Sequence, residues 1–481
     1  MKLAEPSEAP TASGELAPRE RLEALCDPGS LQLIRTGVER DAERRTPGDG
    51  VLGGAGMVGG KQVFCYAQDA TFMGGSLGEA QAATIVRVLH MAGRAGAPVV
   101  AFVESGGARM DEGTAALAGY ARIFRENVAL SKRVPQITVI TGTSAGGGSY
   151  SPALTDCIIM TERSSMFLTG PGVVEEVLGE KVSKEELGGP RVHSANGVCQ
   201  LVAKDDGAAV ELARELLGYL PQKTTASADG TTPQSPLGAA PEPSRGGDPS
   251  ACVPEEARKV YDVREVIRCL ADGSRMLELS PRWARNMVTG FGRIDGRSVG
   301  FIANQPRYLG GVIDVAASEK AARFVRSCDT YGIPLVVLVD TPGFLPGTKQ
   351  EGLGVIRHGA GLLRAFAAAR VPKVTLVLRK AFGGGYITMN SKDLGADLVL
   401  AWPSAEIGVV GPSQAVTFIH RKEIAEADDP VAERERLAAA YAESHVQASV
   451  AARNGAVDEL VEPTETRERL AWALATLEGT A

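Results

Sequence analysis

The strongest constraint on the fold is that the chain repeats itself. "GMVGGKQV" from Gly56 matches "GRIDGRSV" from Gly292, and "APVVAFVESGG" from Ala97 matches "IPLVVLVDTPG" from Ile333, both at a separation of 236 residues. Gly74 in "MGGSLGEAQAA" meets Gly310 in "LGGVIDVAASEKAA" at the same separation. "VPQITVITGTSAGGG" from Val134 meets "VPKVTLVLRKAFGGG" from Val371 at 237, and Gly170 in "LTGPG" meets Gly411 in "VVGPS" at 241. An offset this nearly constant is a tandem duplication. Whatever one half folds into, the other repeats.

Between the halves, residues 222–255 are rich in Ser, Thr, Pro and Gly and nearly free of large apolar groups. Such a segment cannot bury enough surface to offset chain entropy, so it reads as a linker. The expected domains are then 19–221 and 256–481, with residues 1–18 a disordered tail. A chain of 481 residues is long enough for two buried cores. Within each half, β-branched runs such as Val99–Val103 and Leu335–Val339 read as buried strands. Amphipathic stretches such as Ala80–Ala95 and Ser318–Cys328 read as the helices between them. This alternation predicts βαβ units, a mostly parallel sheet, and function at the C-terminal ends of its strands. Residues 428–455 read as one long helix.

Each half carries two glycine-bearing turns directly after a strand: "ESGGAR" (Glu104–Arg109) and "SAGGGSY" (Ser144–Tyr150), then "DTPGFLPG" (Asp340–Gly347) and "AFGGGY" (Ala381–Tyr386). Glycines permit unusual backbone angles and close approach of a ligand. They also open helices, whose first N–H groups have no internal acceptor. Two such turns facing one another supply two N–H donors to one oxygen, worth about 2.7–4 kcal/mol per donor where a carbonyl becomes an enolate or tetrahedral anion.

Two other readings compete for the first half. Gly142-Thr143-Ser144-Ala145-Gly146 satisfies G-x-S-x-G, the nucleophile elbow of serine hydrolases. The same stretch nearly spells a phosphate-binding loop, but Gly148 stands where its lysine belongs. The duplicate of Ser144 is Ala381, while the glycines are retained, so the shared feature is the backbone. Glu104 and Asp340 are matched acids ahead of the turns, available as a base or as structural anchors. No H-x-x-x-H or H-E-x-x-H pair offers a metal site.

The net charge of −7 argues against nucleic acid or an anionic membrane as main partner. No apolar run approaches ~18 residues, and the first twenty residues lack the apolar core of a signal peptide. The seven cysteines are scattered and never in C-x-x-C spacing, which argues against a disulfide framework or zinc site. A cytoplasmic location is expected.

"SGGARMDEG", "SAGGGSYSPALTD", "FLTGPGVV", "GFGRIDGRSVGFIANQP", "ASEKAARFVRSCD", "VDTPGFLPGTKQEGLGVIRHGA", "RKAFGGGY" and "AWPSAEI" resemble the carboxyltransferase (beta) subunits of biotin-dependent acyl-CoA carboxylases, in particular the propionyl-CoA branch. The resemblance runs from about Arg19 to the C-terminus, apart from the linker. It implies an α/β fold of two tandem crotonase-like (ClpP/crotonase) domains, a homo-hexamer, and active sites between the N-half of one protomer and the C-half of another. Acyl-CoA would lie on the N-half turns, with Gly146, Gly147 and Gly107 or Ala108 holding the thioester oxygen as it becomes an enolate. Carboxybiotin would lie on the C-half turns, with Gly384, Gly385 and Gly343 or Phe344 holding the ureido oxygen. Tyr150, Tyr386 and Ile387 are the expected substrate contacts, an apolar Ile387 suiting a neutral acyl tail. The chain has no biotin-attachment or ATP-binding motif of its own, so the resemblance implies a separate biotinylated alpha subunit and no metal in this chain. The related decarboxylase subunits use the same turns in reverse, and a non-catalytic scaffold is a further alternative. Two departures stand out: the usual "GGAY" is "GGGY" at Gly385, and the run from Gly411 to Val416 is unusual.

Overall fold

The computed structural model describes residues 14–38, 47–220, 247–254, 256 and 259–477. These form two compact units, divided at Ala239/Ala240.

The first unit is built on strands β1 (Gln32–Ile34), β2 (Val51–Val58), β3 (Lys61–Gln68), β4 (Val99–Ser105), β5 (Gln136–Ala145), β6 (Cys157–Thr161), β7 (Ser165–Phe167) and β8 (Leu201–Ala203). They form one sheet in the order β1-β2-β3-β4-β5-β6-β8, with β7 paired to the far end of β5. β1, β2 and β3 are antiparallel neighbours; from β3 to β8 every pairing is parallel. The second unit repeats this with β9 (Met276–Glu278), β10 (Met287–Ile294), β11 (Arg297–Asn304), β12 (Leu335–Thr341), β13 (Lys373–Phe382), β14 (Leu398–Ala401), β15 (Glu406–Gly408) and β16 (Glu459–Leu460) in the corresponding order. The parallel strands are apolar on both faces because helices cover them. In the first unit Phe64, Val99, Ile140 and Ile158 pack with Val88 of helix α1 (Glu79–Ala95) and Ile123 of helix α2 (Thr114–Leu130). In the second, Phe301, Val336, Leu376 and Leu400 pack with Val266 and Leu270 of the helix Val263–Leu270 and with Leu470 and Leu474 of the helix Thr466–Leu477.

The duplication extends to irregularities. The register of β4 on β5 shifts between Val103 and Ser105, and that of β12 on β13 between Val339 and Thr341. Met73 and Leu309 are both left-handed non-glycine residues, at φ 50° and 51°. A left-handed side chain carries strain, and both copies retain it.

Three expectations change. Residues 14–18 lie against the first unit: the Leu16 N–H donates to Asp206 (3.1 Å) and Glu15 pairs with Arg163 (2.8 Å). Residues 1–13 lie outside the described residues. Most of the linker does too, but its end folds onto the second unit, where Cys252 and Val253 pack against the core and the Cys252 and Cys269 Sγ atoms stand 3.8 Å apart. The long helix of 428–455 is broken: Pro430–Tyr441 runs into a π-turn at Ala442–Val446 and stops at the extended Gln447. Fully buried Val446 is inserted against Gly408, where even a Cβ would come within 2.6 Å of it. Among the described residues no helix is long and apolar enough to cross a membrane.

Candidate active site

In the first unit, β4 ends at Ser105 and the chain turns through Gly106 and Gly107. Gly107 sits at φ 103°, a region that favours glycine. The turn is held edge-on to Leu77: the Leu77 N–H donates to the Gly107 carbonyl (2.8 Å) and the Arg109 N–H to the Leu77 carbonyl (3.0 Å). The Gly106 N–H donates to Gly74 (2.9 Å), and that of Gly107 to the Ser105 hydroxyl (3.3 Å). Ala108, in the middle, is a bridge residue whose N–H makes no hydrogen bond among the described residues. Behind it the buried Arg109 guanidinium contacts both Asp49 oxygens (2.8 and 2.9 Å), Glu112 (2.9 Å) and the Ser76 carbonyl (3.1 Å). That ion cluster fixes the loop carrying Ala108.

The second turn follows β5. Gly146 takes φ 57° and caps helix α3 (Gly147–Ala153). Its N–H is engaged by the Phe167 carbonyl (3.1 Å), and Gly148 lies beside the Tyr120 phenol, where an added Cβ would stand 3.5 Å from the oxygen. Gly147 stands at the first helical position, where an N–H has no intrahelical acceptor. Of the four residues expected around the acyl oxygen, Ala108 and Gly147 are therefore the free donors, while Gly107 and Gly146 shape the turns. Tyr150 is half exposed on α3, its ring edge-on to Phe124.

The second unit repeats the arrangement. Gly343 (φ 121°) gives its N–H to Thr341 Oγ1 (3.2 Å) and its carbonyl accepts from Ile313 (2.9 Å), while Leu345 donates back to Ile313 (2.8 Å). Phe344 is the bridge residue whose N–H makes no hydrogen bond among the described residues. Gly383 (φ 56°) matches Gly146 and leads into helix α5, counting helix α4 as the intervening Val315–Tyr331. Helix α5 spans Gly383–Thr388. Gly384 is exposed, whereas Gly385 is buried against the facing turn: a Cβ there would stand 2.8 Å from Gly343 Cα. Beside this turn opens a recess of about 670 Å³ lined by Gly383, Gly384, Tyr386, Ile387, Ile407 and Val409.

The alternative chemistries find no support in the geometry. Ser144 is fully buried and its Oγ makes no hydrogen bond among the described residues. The first-unit histidine nearest in sequence, His193, has Nε2 on the Met166 carbonyl (2.6 Å). Asp340 is buried between Arg379 (3.2 Å) and Lys380 (3.3 Å) and accepts the Tyr261 hydroxyl (2.9 Å). Burial, and then the charge of Asp340, push the Tyr261 phenol well above its ordinary value, so it stays an O–H donor. Glu104 pairs with Arg21 (3.3 Å). Both carboxylates are anchors beneath the turns.

Sequence reasoning missed the supports. Tyr120 carries no motif signal, while Arg109 in "SGGARMDEG" and Lys320 in "ASEKAARFVRSCD" had no role assigned. Lys320 is buried on α4 and donates to three carbonyls, those of Ser280, Trp283 and Met287, at 2.9, 3.0 and 2.7 Å.

Two mostly parallel sheets, each ending in paired glycine turns with outward N–H groups, define a tandem crotonase-like architecture. The family model described as "Carboxyl transferase domain" matches residues 10–481. The chain belongs to that family. It is 45% identical over 481 residues to the biotin-dependent acetyl-/propionyl-coenzyme A carboxylase beta5 subunit of Mycobacterium tuberculosis, covering 97% of this chain and 88% of that one. It is 43% identical over 482 residues to the methylmalonyl-CoA decarboxylase subunit alpha of Propionigenium modestum, covering 97% and 91%. The crystal structure of transcarboxylase 12S, described as a hexamer with methylmalonyl-coenzyme A and methylmalonic acid bound, superposes with a TM-score of 0.89 at 46% identity, covering 97% of this chain and 90% of that one. Within the family, the chain is a carboxyltransferase subunit of the kind found in biotin-dependent acyl-CoA carboxylases.

Proposed function

We propose that the protein transfers a carboxyl group to the α-carbon of a short-to-medium acyl-CoA, holding the enolate with backbone N–H groups alone. The observation that carries this is the matched pair of open donors, Ala108 with Gly147 and Phe344 with Gly384, at the same point of a duplicated fold. In the N-half, the Ala108 and Gly147 N–H groups receive the thioester oxygen as it gains charge, with each donor supplying about 2.7–4 kcal/mol in a water-poor site. In the C-half, the Phe344 and Gly384 N–H groups receive a ureido oxygen. The recess beside Gly384 suits a neutral bicyclic ring, its walls being apolar at Ile387, Ile407 and Val409. Bound carboxybiotin supplies the carboxyl group and, through its ring nitrogen, the base for the α-proton. The chain's own part is to orient the two oxygens and exclude water, so that charge developing on each meets a fixed donor.

The biotin would arrive on a separate alpha subunit, and the beta chains would form a homo-hexamer, as described for transcarboxylase 12S. Exposed apolar residues support close association of protomers. Leu168, Val177 and Leu178 (55, 70 and 70% exposed) recur 241 residues later as Val409, Phe418 and Ile419 (77, 76 and 63% exposed). Both sets flank or sit on equivalent helices, Pro171–Leu178 and Pro412–Ile419. Large apolar groups left bare at matched positions fit surfaces covered in an assembly.

The test is transfer of labelled bicarbonate to a panel of acyl-CoAs, with ATP and a purified biotinylated alpha subunit. Labelled malonyl-type products support the proposal; no labelled product with any alpha chain overturns it. Net loss of carboxyl from malonyl-type thioesters without carboxylation would instead favour the decarboxylase reading, which the Propionigenium relative makes concrete.

A further inference from the structure

We propose that Tyr120 and Ser105 are positioning residues that set the gap between the two N-half turns, and with it the spacing of the Ala108 and Gly147 donors. This rests on the carboxyltransferase reading above. Tyr120, on α2, is 5% exposed. Its hydroxyl shares a hydrogen bond with Ser105 Oγ at 3.2 Å, and the same oxygen lies beside Gly148, where an added Cβ would stand 3.5 Å from it. Ser105 Oγ in turn accepts the Gly107 N–H at 3.3 Å. One pair of hydroxyls thus links the backbone of the first turn to the ring that packs against the second. Gly107 is the immediate chain neighbour of the free donor Ala108, and Gly148, beside the phenol, is that of Gly147. The Tyr120 ring also lies against Gly147, where a Cβ would come within 2.7 Å of two ring carbons.

Tyr120 acts from behind the site. The cavity it lines with Tyr66, Ile123 and Ser151 has only about 10 Å³, too small for any part of an acyl-CoA. Burial raises the phenol above its ordinary value, so the group stays a neutral hydroxyl through the working range and its role is geometric. The second unit sets the same gap without a tyrosine. Thr341 Oγ1 takes the Gly343 N–H, and the two turns touch directly at Gly343 and Gly385. A hydroxyl at the Ser105/Thr341 position is common to both halves; the tyrosine spacer belongs to the N-half.

The experiment compares full-length wild type, Y120F, S105A and S105T in two reactions. One is carboxyl transfer from methylmalonyl-CoA to free biotin, which calls on both pairs of turns. The other is loss of carbon dioxide from N-carboxybiotin methyl ester without acyl-CoA, which calls on the C-half turns. For Y120F and S105A, kcat for transfer is expected to fall about 10- to 100-fold while KM for the thioester stays within about twofold, because donors misplaced by a fraction of an ångström still bind the ground state. Ester decarboxylation is expected to be unchanged. S105T keeps the hydroxyl and is expected to recover transfer to within about threefold of wild type. Y120F and S105A at wild-type transfer rates overturn the clamp, as does an equal loss in both reactions. A wild type that transfers no carboxyl group overturns the carboxyltransferase reading itself, and the clamp with it.

Discussion

Replacing Gly147 by alanine sets a methyl group against the face of Tyr120. The new Cβ would stand 2.7 Å from Tyr120 Cγ and Cδ2 and 2.8 Å from Cε2. To restore an ordinary contact of 3.4 Å the ring must withdraw by about 0.7 Å. Tyr120 has little room to do so: it is buried, its ring centroid is 5.8 Å from that of Phe124, and its hydroxyl is hydrogen-bonded to Ser105. Overpacking of this kind costs about 1–3 kcal/mol. Gly147 is helical, so the alanine backbone is unstrained and by propensity alone gains about 0.5–1 kcal/mol; a net loss therefore isolates the clash. Any part of the clash that the ring does not relieve displaces the Gly147 donor, for which a fall in kcat of about 100-fold is expected. The control is Gly384→Ala in the duplicate turn, where the Cβ would meet Phe344 Cδ2 and Cε2 at 3.5 and 3.6 Å, an ordinary contact. Thermal unfolding and steady-state carboxyl transfer read both variants. Gly147→Ala is expected to melt a few degrees lower and to lose transfer, while Gly384→Ala melts with wild type. An undiminished melting point and transfer rate for Gly147→Ala, or equal destabilisation of the two variants, would refute the steric argument.

Arg109→Met strands the Asp49 carboxylate, which is 1% exposed, and is expected to destabilise the first unit by about 3–5 kcal/mol, read as a lower urea midpoint; an unmoved midpoint contradicts it. Ser144→Ala removes a buried hydroxyl that makes no hydrogen bond and is expected to keep transfer within about threefold of wild type, whereas a folded, inactive variant would revive the serine nucleophile. Lys320→Met orphans three carbonyls and is expected to cost about 3 kcal/mol in a denaturation assay. Burial pushes the Lys320 amine from 10.5 down to about 7. Between those values the unfolded chain holds a proton that the folded chain has released, so this lysine makes stability climb as pH rises above 7. The melting point of wild type should therefore rise relative to that of Lys320→Met as pH is raised above 7, widening the gap between them; curves that stay parallel would mean that the three carbonyls keep the amine charged.

The repeated strands and glycine turns were legible because the duplication compared every position with a second copy under different local pressure. Ser144 against Ala381 showed that the hydroxyl was dispensable, and the buried, unpartnered Oγ agrees with that reading. Gly107 and Gly343 were legible as special because no side chain tolerates their backbone angles easily. The broken helix at Gln447 was not legible, since residues 428–455 carry helical composition throughout. What stops the helix is the insertion of Val446 against Gly408, a contact across about forty residues.

The sequence by itself determined the tandem architecture, the strand–turn–helix order and the four turns, because local propensity and internal repetition are written in residue order. Which N–H in each turn stays open was decided only by tertiary structure. Gly107 and Ala108, like Gly146 and Gly147, are indistinguishable as donors in sequence. They separate once the turns fold: the Ser105 hydroxyl, two residues back, takes the Gly107 N–H, and the Phe167 carbonyl, brought alongside from 21 residues further on, takes that of Gly146. Tyr120 owes its place to the packing of α2 against the turns, which brings its hydroxyl onto Ser105 and beside Gly148.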